Sequence, residues 1–158
     1  MTMPPRRIAV PVTLSREGNE RIAAAARLAE TLGAELVLVG IAPLVPSAAW
    51  SAGVSRFVLL DREREAQRII DRLVAVRLEE LLASLPVGVR ARAVATWGPV
   101  EEALADVAEA AGADMIVVSM RDWSPLGHLF HDDDHRYLLQ QSDVPVLMVP
   151  EPRAAAGN

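Results

Sequence analysis

The segment Leu-Gly-Ala-Glu-Leu-Val-Leu-Val at 32–39 returns, with like replacing like, as Ala-Gly-Ala-Asp-Met-Ile-Val-Val at 111–118. In both, a stretch with helical periodicity stops at a glycine, the residue that takes a left-handed helix-ending backbone without a Cβ penalty. One acid later the chain enters a short, uninterrupted apolar run. A run of that length suits a strand covered on both faces, as in a parallel sheet flanked by helices. The echo predicts recurrence of one helix-to-strand unit rather than a duplicated domain.

The rest of the chain falls into the same rhythm. Arg7 to Thr13 reads as a first strand, and Ile22, Ala25, Ala26, Ala29 and Leu32 as one face of a helix over 19–32. Glu35 to Ile41 is a second strand. Residues 43–58, with their prolines, serines and Trp50, read as a long loop of the kind that carries function. From Asp61 to Leu85 a 3.6-residue apolar period returns. In the third strand, Val89 to Thr96, Arg90 and Arg92 on one side predict a sheet edge or a half-exposed face. Gly98-Pro99 opens the next helix, with Pro expected at the first helical position and Glu101 and Glu102 complementing the dipole. Met115 to Met120 and Val144 to Val149 complete five strands. At 158 residues, the order β-α-β-α-β-α-β-α-β predicts an α/β chain with a single doubly wound domain over 1–150, helices on both faces and right-handed crossovers. Residues 151–158 are expected to be a disordered tail.

Composition removes whole classes of chemistry. All sixteen basic residues are Arg, so a P-loop lysine or a Schiff base is excluded. There is no Cys, hence no disulfide, thiol nucleophile or thiolate metal site. A net charge of −5 speaks against nucleic acid or an anionic membrane as partner. No apolar stretch approaches a membrane span, and the N-terminus lacks a signal-peptide core, so a cytoplasmic protein is expected.

Three matches bring a family into view: Ile-Ala-Val-Pro-Val at 8–12, Trp-Gly-Pro-Val-Glu-Glu-Ala-Leu at 97–104, and Gly-Ala-Asp-Met-Ile-Val-Val at 112–118 with Val-Pro-Val-Leu-Met-Val at 144–149. Together they resemble the universal stress protein family over roughly residues 6–150. The resemblance implies a five-stranded parallel sheet of order 3-2-1-4-5, and a dimer formed through the last strand. ATP-binding members end the first strand in an aspartate; here Thr13 stands there. Their phosphate loop, Gly-x2-Gly-x9-Gly-Ser/Thr, falls without gaps on Ser119, Asp122, Asp132 and Asp133. No glycine is kept. Two like charges ~4 Å apart repel by about 4 kcal/mol at an effective dielectric near 20. Carboxylates facing a triphosphate would outweigh the backbone N–H contacts that remain, and ATP is not expected to bind in the usual pose.

All three histidines lie in His128-Leu-Phe-His131-Asp132-Asp133-Asp134-His135. On one continuous helix, His128, His131, Asp132 and His135 would share a face and form a plausible donor set for zinc or another divalent metal. The competing reading makes Asp132 or Asp133 the N-cap of a fourth helix, with the other acids favouring its dipole. Thr13, Ser119, Arg121 and Asp122, at strand C-termini and the loop beyond, are the candidate ligand-binding residues. Trp50 and Trp123 are expected to flank the same crevice. No nucleophile–base pair is present, so catalysis is not expected. The leading expectation is a universal stress protein-like domain that acts by homodimerisation through Val144 to Val149 and by binding a protein or small-molecule partner. The alternative is a metal- or nucleotide-dependent binding protein built on the histidine–aspartate cluster.

Overall fold

The computed structural model describes residues 3–14, 18–44, 56–119, 140 and 142–150. Its elements are β1 (Arg7–Val12), α1 (Asn19–Leu32), β2 (Glu35–Ala42), α2 (Arg56–Ser84), β3 (Arg90–Trp97), α3 (Val100–Ala110), β4 (Met115–Ser119) and β5 (Val146–Val149). The strands form one five-stranded sheet, ordered β3-β2-β1-β4-β5 and parallel throughout. This is the order the resemblance implied.

Strand alternation divides the core. Ile8, Val10, Val12, Leu36 and Leu38 face α1 and α2, meeting Ile22, Ala25 and Ala29 of the first and Val74, Leu78 and Leu81 of the second. Ala9, Val37, Val39 and Ile41 face α3, against Ala103, Leu104 and Ala108. Helices thus cover both faces, which is why β1 and β2 can be apolar beyond their first residues, Arg7 and Glu35. At Gly40 the α2 side chains come so close that a Cβ would lie 2.6 Å from Leu78 Cδ1 and 2.8 Å from Val74 Cγ1. The arginine-bearing β3 is an edge strand, one of the two readings its alternation left open.

The echoed segments end their helices in the same way. Gly33 and Gly112 both adopt φ 65°. Ala34 N donates to Ala29 O and Gly33 N to Glu30 O, while Ala113 N donates to Ala108 O and Gly112 N to Glu109 O. Each is a paired helix stop of the Schellman type. The next residue in each case then joins β1: Glu35 N donates to Arg6 O and Asp114 N to Arg7 O.

Some boundaries differ from expectation. Helix α2 begins at Arg56, inside the stretch read as loop, because no Gly or Pro intervenes between Gly53 and Pro86 to delay it. Pro99 is the N-cap of α3, not its first helical residue. Its ψ of 133° is extended, and its carbonyl accepts the first helical bond, from Ala103 N. Thr13 follows β1, and Val144 precedes β5 by two residues. The expected fourth helix near Asp133, residues 45–55 of the expected loop, and the tail at 151–158 lie outside the described residues.

Helix α2 has 29 residues, about 43 Å at 1.5 Å per residue. Gln67 Nε2 donates to Pro43 O at 3.2 Å, which sets that turn of α2 level with the C-terminal end of β2. The first turns of α2 therefore project past the C-terminal edge of the sheet.

Candidate functional site at the strand C-termini

The strand order reverses direction between β1 and β4. In open parallel sheets such a switch point is where crossovers depart to opposite faces and leave a crevice beyond the strand ends. Here the ladder between β1 and β4 is short. β1 pairs with β2 over six residues but with β4 only at Ile8–Met115 and Ala9–Ile116, near the N-terminal ends. Towards their C-termini the two central strands are not bridged.

Thr13 and Ser119 stand at those C-termini. Ser119 is fully buried. Thr13 Oγ1 is buried too and has no hydrogen-bond partner. A buried hydroxyl without a partner is costly, and Thr13 carries one at this end of the sheet.

The N-terminus of α1 borders the same crevice. Gly18, with φ 91°, is its N-cap and carries no side-chain cap. A Cβ on Gly18 would lie 2.7 Å from Arg21 Cζ, so the guanidinium occupies the space the glycine leaves. Arg21 is 1% exposed, and its Nε donates to Pro11 O at 3.1 Å. Asn19 is anchored from α2 by Arg77 Nη2, which donates to its Oδ1. Arg21 was not singled out from sequence, because a charged residue is ordinarily assigned to the solvent side of a helix. The available signal was its place four residues before Ala25, on the apolar face, and three residues after a glycine.

The charged cleft at the opposite end of the sheet, about 580 Å³ in volume, is architectural. Neither α1 nor α3 has a basic residue in its last turn, and strand arginines complement their C-terminal dipoles instead. Arg90 Nη2 donates to Gly33 O at 2.6 Å, and Arg7 Nη1 to Ala111 O at 3.2 Å. Glu35 accepts from Arg92 Nε, and Asp114 Oδ2 accepts from the backbone N of Arg6 and Arg7. These charges answer one another.

Arg121, Asp122, His128, His131, Asp132 and His135 lie outside the described residues. Among the described residues, no cluster of three His, Cys, Asp or Glu side chains could hold a metal, and no helix is long and apolar enough to cross a membrane.

Residues 4–150 match the universal stress protein family. The chain belongs to that family. No curated protein matches the sequence. Among solved structures, the chain is similar to the hypothetical protein MJ0577, at 16% identity and TM-score 0.70, over 97% of this chain and 100% of that one. It is similar to UspA from Lactobacillus plantarum at 15% identity and TM-score 0.61, over 90% and 96% of the two chains. A universal stress protein in complex with cAMP gives 15% identity and TM-score 0.56, over 94% and 99%. At such identities these likenesses speak for the fold alone.

Proposed function

We propose that this universal stress protein domain is a small-ligand binding module whose crevice, between the C-termini of β1 and β4, does not take ATP through a glycine-rich phosphate loop. The observation that carries this reading is the partnerless, buried hydroxyl of Thr13, at the position where ATP-binding members of the family place an aspartate. A hydroxyl can donate one hydrogen bond and accept others without bringing charge. The aligned phosphate-loop positions, Ser119, Asp122, Asp132 and Asp133, hold no glycine. They would set carboxylates against a triphosphate. A relative of the same fold is solved with cAMP, which has a single phosphate, so ligands with less negative charge than ATP are the natural candidates.

Titration calorimetry with Mg-ATP tests this reading. Mg-ATP is expected to show no binding at micromolar concentration. A micromolar or tighter dissociation constant for Mg-ATP would overturn the reading. The proposal includes a homodimer through β5, the exposed edge strand opposite β3. The alternative built on His128, His131, Asp132 and His135 would be established by zinc retained through dialysis against a weak chelator and lost in both His131→Ala and His135→Ala.

A further inference from the structure

Helix α2 has two apolar faces. One packs on the sheet through Val74, Leu78 and Leu81. The other consists of Ile69, Leu73 and Val76, which are 56%, 51% and 43% exposed. Their spacing of four and then three residues sets them in one stripe on the solvent side. A lone exposed aliphatic residue is ordinary, but three in succession along one helix face form a patch that calls for a partner.

The charges at its ends say which partner. Arg62 stands seven residues before Ile69, and Glu80 seven after Leu73, both exposed and both on the line of the stripe. Ile69 with Leu73, and Arg62 with Glu80, are therefore each symmetric about the level of residue 71, the second pair with opposite charges, while Val76 widens the patch on one side. A second α2 laid antiparallel across a two-fold axis that crosses the stripe level with residue 71 would set Ile69 against the partner's Leu73 and Arg62 against the partner's Glu80. The symmetry makes each pairing occur twice. This self-complementarity is what an isologous interface requires. We propose that the exposed face of α2 is a contact between two copies of this chain, formed by antiparallel helix pairing. Because α2 packs over β2 and β3, this contact is separate from the β5 edge and goes beyond the function proposed above.

The test is light scattering over a range of protein concentrations, carried out in the Met148→Lys background so that association through β5 does not contribute. A reversible dimer is expected there, and Leu73→Glu should reduce it to monomer. Arg62→Glu or Glu80→Arg alone should raise the midpoint concentration for dissociation about tenfold, by turning two attractive exposed pairs into repulsive ones. Both reversals together should restore the original midpoint. These residues are exposed, so circular dichroism should remain that of the parent. A Met148→Lys protein that is monomeric at every concentration would overturn the proposal. So would a Leu73→Glu variant of unchanged mass, or a double reversal that fails to restore association. Failure of the β5 reading would show instead as equal masses for the parent and Met148→Lys.

Discussion

At Arg21 a guanidinium is held 1% exposed inside the first turn of α1, in room that exists only because residue 18 has no side chain. Gly18→Ala meets two penalties there, a non-glycine residue at φ 91° and displacement of the guanidinium. A loss of about 1–3 kcal/mol is expected, read from urea denaturation midpoints. Because both changes act on the same space, Gly18→Ala with Arg21→Ala should lose less than the sum of the singles. Thr13→Val should behave in the opposite way. It removes a buried hydroxyl that no group satisfies, so thermal stability should hold or rise slightly while any ligand seated in the crevice binds more weakly. A large loss of stability would show the hydroxyl to be structural. That Thr13 and Ser119 stand at strand ends was legible in the sequence, because strand ends can be located from apolar runs. Arg21 was not, since its burial depends on a cavity made by Gly18 and on the Pro11 carbonyl beyond the helix.

At the scale of elements, the contact between α2 and β2 depends on Gly40. A methyl group there would overlap Leu78 and Val74, and overpacking of this kind costs typically 1–3 kcal/mol. Gly40→Ala should therefore lower stability by about that much, and Gly40→Ala with Leu78→Ala should lose less than the sum of the two singles. Calorimetric melting of the two singles and the double checks this. The strands, α1 and α3 were legible because apolar runs and glycine stops coincide at their boundaries. The start of α2 was not. Phe57, Val58, Leu59 and Leu60 carry no helix breaker but follow a loop-like composition, so propensity alone did not fix the boundary. The N-cap role of Pro99 was hidden for a related reason: Pro fits the first helical position and the extended residue before it equally well.

For the whole molecule, the order of elements was legible from periodicity, whereas the strand order came from the family resemblance, since parallel pairing leaves no local sequence mark. The two edges of the sheet differ. β3 carries arginines that discourage further pairing. β5 carries Leu147 and Met148, 39% and 41% exposed. Met148→Lys is expected to halve the mass of the β5-linked assembly in light scattering. Val146 is a poorer probe, because it packs against the α3 side of the core. Unchanged mass for Met148→Lys and for Leu147→Lys would remove β5 as an interface.

The reversal of strand order that opens the crevice also bears on how the chain is made. β1 lies at the centre of the sheet, and its neighbour β2 begins at residue 35, but its other neighbour, β4, begins only at residue 115. During synthesis, β1, β2 and β3 can pair first, leaving one flank of the central strand bare until the far end of the chain emerges. For that interval a strand that the finished protein buries from Ile8 to Val12 is an open template for any other nascent chain. Mistimed synthesis or truncation before residue 115 should therefore yield aggregates seeded at β1, while the finished protein keeps that strand out of reach.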